Sequence, residues 1–233
     1  EGAVGLFRDV TDTERLEQTR REYVANVSHE LRTPVSSIRG LVETLQDGLL
    51  PTESDRVRYY GYIHRETLRL TRLIDDLLEL SRLQSGAVAL DIGPVDPLGP
   101  LAEGIAAMAQ RAGEKGVRLE SRLPGDGLPT VLANADRIEQ VLVILLDNAV
   151  KFTPAGGAVT VDARVSDEEA AVIVEVRDTG PGIDPADLPH VFDRFFKADR
   201  ARTAEGTGLG LSIARELLSR MGGDLSAESP GQG

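Results

Sequence analysis

ERLEQTRREYVANVSHELRTPVSSIRGLVETLQ, Glu14 to Gln46, is the stretch on which the fold turns. Its apolar positions Leu16, Tyr23, Val27, Leu31, Val35, Ile38, Leu41, Val42 and Leu45 recur mostly at steps of three and four, the period of one face of an α-helix. The spacing predicts a single long amphipathic helix. Asp47-Gly48-Leu49-Leu50-Pro51 stops it, and Thr52 to Asp55 offers capping groups for a second helix running to about Leu83. That helix carries its own stripe of Tyr60, Ile63, Leu70, Leu73, Ile74, Leu77 and Leu78 and matches the first in length, so the pair predicts an antiparallel hairpin. At a rise of about 1.5 Å per residue each arm is about 50 Å long. One hairpin cannot cover stripes this wide. Two hairpins pairing into a four-helix bundle can, which predicts a homodimer.

Upstream, Ala3 to Arg8 reads as a short strand, and Asp9-Val10-Thr11-Asp12 as its handover to the helix, with Thr11 and Glu14 at capping-box spacing. Downstream of Gly86 the pattern changes. Pro94, Pro97 and Pro100 with nearby glycines mark a linker, and shorter elements follow. Helices are predicted at about Pro97–Gly113, Asp136–Phe152 and Gly206–Met221. Strands are predicted near Val88–Asp91, Val117–Leu123, Val131–Ala133, Val159–Val165 and Val172–Asp178. This alternation predicts a two-layer α/β sandwich. The chain is thus divided into residues 1–13, a helical domain at 14–86 and the sandwich at 87–233.

Composition agrees with two domains, since 233 residues exceed the roughly 100 to 200 of one compact unit. With 41% hydrophobic and 27% charged residues there is material for packed cores. Twenty-six basic against thirty-eight acidic residues leave a net charge of −12, which argues against affinity for a nucleic-acid backbone. The absence of cysteine removes disulfides and thiolate metal sites, and three histidines give little from which to build a zinc site; both suit a reducing cytoplasm. No run approaches the roughly 18 apolar residues of a membrane span, so no membrane contact is expected from these residues. Residue 1 is a glutamate in mid-pattern. The chain is therefore expected to be the cytoplasmic portion of a longer, membrane-anchored protein.

Four local patterns carry chemistry. The first is Ser28-His29-Glu30-Leu31-Arg32-Thr33-Pro34. With 27, 31, 35 and 38 taken as the buried stripe, His29 is displaced by about 200° around the helix and projects to solvent. A neutral imidazole offers a nitrogen lone pair that can attack phosphorus. Glu30 can orient the other ring nitrogen. Pro34 has no amide hydrogen for the Glu30 carbonyl, so the helix is expected to loosen there as a hinge. A lone helical histidine is ordinarily a surface residue, the reading kept for His64 and for His190, which is placed in a loop.

The second pattern is Asp147-Asn148-Ala149-Val150-Lys151-Phe152, in which an asparagine oxygen suits Mg²⁺ and a lysine three residues on shares its helix face and can meet phosphate. In the third, Asp178-Thr179-Gly180-Pro181-Gly182, glycines let a flat base approach the backbone and the aspartate can accept from an amine. The fourth, Gly206-Thr207-Gly208-Leu209-Gly210-Leu211, opens a helix and puts bare amides at its positive end, where a triphosphate could lie. Taken singly, each could be an ordinary turn or surface.

In this order and spacing they resemble the nucleotide-binding boxes shared by gyrase-type ATPases, heat-shock chaperone ATPases and histidine kinases. Phe192-Asp193-Arg194-Phe195-Phe196-Lys197 resembles the kinases' aromatic box beside a mobile lid. The His29 run is similar to the phosphoacceptor motif of the sensor histidine kinases, and residues 1–13 resemble the exit of a Per-Arnt-Sim sensor domain. The resemblance implies an ATP-binding sandwich after a dimeric helical bundle, with His29 as nucleophile, Glu30 assisting and Thr33 positioning water for dephosphorylation of a partner. It implies ATP held by Asn148, Lys151, Asp178, Gly180, Gly182, Gly206, Thr207, Gly208, Leu209 and Gly210, with Mg²⁺ on Asn148 and Arg194 reaching the γ-phosphate. The partner implied is the receiver domain of a response regulator, whose aspartate takes the phosphoryl group. Two rivals are an ATP-driven machine of the gyrase type, with His29 incidental, and a catalytically weak dimeric scaffold. The second draws on a departure: the asparagine the family carries four residues before Asn148 is Ile144 here. The chain also stops at Ser229-Pro230-Gly231-Gln232-Gly233, where related proteins continue into a last strand, so that edge is expected to be missing or disordered.

Overall fold

The protein is seen in a computed structural model that describes residues 11–50, 52–85, 90–125, 127–166, 171–198 and 206–229. The strand expected at Ala3–Arg8 and the side chains of the expected Thr11/Glu14 cap lie outside the described residues. By compactness the chain falls into two units, Glu1–Asp75 and Asp76–Gly233.

Two long helices form a hairpin, α1 at Thr11–Gln46 and α2 at Glu53–Gln84. α1 ends where Gly48 takes φ 66°, a conformation cheap only for glycine. The Thr52 hydroxyl caps α2, accepting from the Asp55 amide at 3.1 Å and donating to the Asp55 carboxylate at 2.7 Å. Glu53 and Asp55 place negative charge at the positive helix end. One expectation needs correction. The inward face of α1 passes through Leu31, Pro34, Ile38, Leu41 and Leu45, whereas Val35 is 51% exposed. Pro34 can be buried without cost to a donor because it has no N–H, and stepping by three from Leu31 brings it, not Val35, onto the face. α1 continues unbroken through it, so the expected hinge is not a break in the helix. On α2 the inward face is Ile63, Leu70, Leu73 and Leu77, while Tyr60, Ile74 and Leu78 of the expected stripe are exposed.

The boundary between units falls inside α2, so Asp76–Gln84 belong to the second. There follow β1 (Gly93–Val95), α3 (Leu98–Lys115), β2 (Arg118–Arg122), β3 (Val131–Ala133), α4 (Ala135–Phe152), β4 (Ala158–Val165), β5 (Val172–Asp178), a 3₁₀ turn at Leu188–His190 and α5 (Gly210–Arg220). β2 pairs parallel with β4, and β4 antiparallel with β5; β1 and β3 make a separate antiparallel pair. Along β4 the alternation Val159, Val161, Ala163 points into the core, where α3 and α4 cover the sheet through Leu101, Met108, Leu142, Leu146 and Val150. This is the expected two-layer sandwich.

Three element expectations shift. The strand placed at Val88–Asp91 falls partly on residues outside those described; β1 is found at Gly93–Val95, and the Asp91 carbonyl accepts from the Asn134 side chain at 3.1 Å. Pro94, taken as linker, is tolerated in β1 because that strand pairs on one side only. The helix expected from Gly206 begins at Gly210, since Gly206 (φ 149°) and Gly208 (φ 74°) cannot be helical. His190, placed in a loop, ends the 3₁₀ turn.

α4 is set at both ends. Asn134 caps its start, accepting from the Arg137 amide at 3.1 Å. At its finish the Lys115 ammonium, from the last turn of α3, donates to the carbonyls of Val150 (2.8 Å) and Lys151, where positive charge meets the negative helix end. Leu146 is fully buried at the centre of α4. Leu146→Ala is expected to cost about 2–5 kcal/mol through lost burial and a residual cavity, read as a lowered denaturation midpoint for the second unit.

Candidate active site

In the first unit, His29 presents 75% of its side chain to solvent, as a position opposite the inward face requires. Its Nδ1 faces Glu30 Oε1 at 3.8 Å. The other Glu30 oxygen faces Arg69 of α2 at 3.9 Å, and Arg69 in turn faces Glu66 at 3.9 Å. Glu30 is thus held between imidazole and guanidinium with only 21% of its side chain exposed. Thr33, one turn on and exposed, donates to the His29 carbonyl at 3.2 Å.

In the second unit the three nucleotide-type patterns converge on the end of α4. Asn148 donates its amide to the Ile144 carbonyl at 3.0 Å, which fixes the rotamer and turns the side-chain oxygen the other way. Ile144 itself packs on the start of α5: a Cβ at Gly210 would lie 3.3 Å from Ile144 Cγ2 and 4.0 Å from the Asn148 amide nitrogen. Lys151 approaches the glycine loop so closely that a Cβ at Gly206 would stand 2.6 Å from its ammonium. The Gly180 amide donates to Asp178 Oδ1 at 2.8 Å, orienting the carboxylate, and a Cβ at Gly180 would lie 2.6 Å from that oxygen and 3.3 Å from the Phe152 carbonyl. Thr179 ties this turn to β4, its hydroxyl accepting from the Ala158 amide at 2.9 Å and its amide donating to the Ala158 carbonyl at 3.0 Å. Gly182 takes φ 70°, and the amide of the next residue, Ile183, donates to Ser229 at 3.0 Å.

The aromatic pattern is bound into the same loop. Phe195, at φ 63°, donates its amide to the Gly208 carbonyl at 2.8 Å, and a Cβ at Gly208 would fall 2.9 Å from Phe195 backbone atoms. Leu209 buries its side chain completely, so a ligand could meet only its main chain. The Thr207 hydroxyl accepts from the Leu209 amide at 3.2 Å and donates to Asp76 at 2.7 Å. The Arg194 guanidinium faces the side-chain amide of Gln84, whose oxygen accepts from it once the amide is oriented to satisfy both groups.

A Cβ at Gly180, Gly206, Gly208 or Gly210 would press on protein atoms here, so the glycines let the chain wind closely into a cradle beside a lysine and the positive start of α5, which suits a polyphosphate. A single asparagine oxygen also fits Mg²⁺, which is commonly bound by one or two protein ligands and otherwise by phosphate and water. Among the described residues no cluster of three or more His, Cys, Asp or Glu side chains could hold a metal unaided. The resolved shifts in ionisation lie elsewhere: on β5 the Arg177 hydrogen bonds hold the Glu175 carboxyl below its ordinary range and raise Arg177 in return. His64 is exposed, and His190 pairs with Asp193 at 2.8 Å. Sequence reading missed Arg69, Lys115, and the α2 residues Asp76, Glu79 and Gln84. Nothing local marks them; Asp76 and Thr207 stand 131 positions apart.

Comparison with known proteins places this sandwich among nucleotide-binding ATPase domains: residues 133–233 match the family model of the histidine kinase-, DNA gyrase B- and HSP90-like ATPases. Residues 19–86 match that of the His Kinase A (phospho-acceptor) domain. The chain belongs to the sensor histidine kinases of two-component systems, and carries a phospho-acceptor domain followed by an ATPase-family domain. It is 38% identical over 231 residues to the sensor histidine kinase WalK of Bacillus subtilis, covering 98% of this chain and 38% of that protein. It therefore spans less than half the length of the curated relatives it matches. Among solved structures, histidine kinase AdeS of Acinetobacter baumannii aligns with a TM-score of 0.69 at 26% identity, over 88% of this chain and 92% of that one. Full-length ShkA, solved in complex with AMPPNP, aligns at 0.63 and 35% identity, over 91% of this chain and 43% of that one.

Gly208→Ala forces a side chain into a left-handed conformation, about 1–2 kcal/mol of strain, and drives it into the Phe195 backbone. ATP affinity measured by calorimetry is expected to fall about tenfold or more.

Proposed function

We propose that the chain autophosphorylates on His29 from Mg-ATP and passes the phosphoryl group to an aspartate on a response-regulator receiver domain. The observation that carries this is the pairing, in one chain, of a solvent-facing His29 backed by Glu30 with a glycine-rimmed cradle around Asn148 and Lys151. With Nδ1 toward Glu30, the imidazole presents Nε2 as its nucleophile. The Nε2 lone pair forms the N–P bond as the bond from the γ-phosphorus to the ADP oxygen breaks, and the Nδ1 proton passes toward Glu30. Phosphoryl transfer asks of the protein mainly positioning and charge neutralisation. Lys151 and Arg194 would supply cationic charge, the amides at the start of α5 would take phosphate oxygens, and Asp178 would accept from the base. When bound at Asn148, Mg²⁺ would neutralise charge on the phosphates.

Thr33, a turn past His29, is suited to align water for hydrolysis of the regulator's aspartyl phosphate, a phosphatase activity of the same helix face. A homodimer is favoured by the apolar side chains the hairpin leaves exposed: Val24 and Val35 on α1, and Val57, Tyr60, Leu68, Ile74 and Leu78 on α2. No described helix is long and apolar enough to cross a membrane. We place this part of the protein in the cytoplasm and any membrane anchor outside it.

Radiolabelled Mg-ATP is expected to give acid-labile, base-stable label on the chain, absent in His29→Gln; label surviving that substitution would refute the assignment. Thr33→Ala is expected to keep autophosphorylation while slowing dephosphorylation of a phosphorylated receiver on the order of tenfold.

A further inference from the structure

The last turns of α2, all within the second unit, lie against residues of the cradle and of α4. Asp76, Glu79, Leu80, Leu83 and Gln84 share one face by helical spacing. Leu80 and Leu83 seat that face, at 1% and 3% exposure. Its polar members then make specific bonds. Asp76 accepts from the Thr207 hydroxyl at 2.7 Å. Glu79 accepts from Arg137 at 2.7 Å and from the Gln140 amide at 2.8 Å, and Arg137 also donates to Gln140 at 2.6 Å. Gln84, its amide oxygen toward the guanidinium, accepts from Arg194.

Two of these partners have nucleotide roles: Arg194 in the proposed function, and Thr207 in the set of ATP-holding residues that the family resemblance implies. A hydroxyl has one proton to donate. While Thr207 accepts from the Leu209 amide and donates to Asp76, it has none for a phosphate oxygen. A carboxylate at this position also repels the polyanion that would replace it.

We propose that this face of α2 is an autoinhibitory clasp: Asp76 and Gln84 occupy Thr207 and Arg194, Glu79 anchors the helix end to α4 through Arg137 and Gln140, and nucleotide competes with the clasp for the first two. The inference rests on the nucleotide role assigned to the cradle. Because α2 is a single helix from Glu53 to Gln84, rotation of the hairpin arm would withdraw all three polar groups together.

The test is titration of the whole chain with a non-hydrolysable ATP analogue, comparing wild type with Asp76→Asn and Glu79→Gln, each first shown to retain the wild-type melting temperature within a few degrees. Both variants are expected to bind about three- to tenfold tighter, because a larger fraction is competent before ligand arrives. Amide exchange in the wild type is expected to quicken at residues 76–84 when the analogue is added. Binding by the wild type with unchanged affinity in both variants, or exchange at 76–84 that does not respond, overturns the clasp and leaves the cradle standing. No binding by any of the three overturns the cradle reading, and the clasp with it. Should either substitution unfold the chain, Gln84→Ala, at an exposed position, gives the same comparison through Arg194.

Discussion

Burial of one face of α4 against the β2–β4–β5 sheet is the constraint on which the second unit depends. Leu142, Leu146 and Val150 secure that face, and once they do, Asn148 and Lys151 cannot choose where they stand. The remaining geometry follows from closeness to α4. α5 can begin beside it only because Gly210 has no side chain to push against Ile144. The loop before α5 runs close to Lys151 for the same reason at Gly206. Lys115 holds the far end of α4 by its last carbonyls, so a residue on α3 helps set the position of a lysine on another helix.

The hairpin obeys a different logic. Its inward faces are narrow, and a wide remainder of apolar surface stays exposed on both arms. His29 is reachable because the face that carries it is not the one the two helices share. Glu30 is less exposed than its neighbour and is set between His29 and Arg69, so the acid beside the imidazole is braced from the second helix.

Much of this was legible in the sequence. Three-and-four periodicity sustained over some thirty residues leaves little alternative to a long helix, and the alternation in β4 is equally plain. Boundaries were harder. Pairing with β3 makes a strand of Gly93 to Val95, where a proline had read as linker and is admitted at an edge. Gly206 to Gly210 carried the right residues for a helix start but too many glycines to be helix, and only their φ values show where α5 begins. Val35 and Pro34 exchanged places because period alone cannot distinguish adjacent positions on the margin of a stripe. The contacts of Asp76, Glu79 and Arg69 were invisible because each is an ordinary charged residue on a helix, and what singles it out is a partner brought near by the fold.

Leu209 carries a consequence of its own. Its side chain is committed to the core while its neighbours on both sides are glycine, so that stretch of loop offers an incoming molecule almost nothing but peptide groups. A small-molecule inhibitor that took its hold from those peptide groups would be recognised through atoms every residue shares. Resistance by point substitution would then have few routes open, because the changes that would dislodge the compound are the ones this tightly wound segment cannot accept.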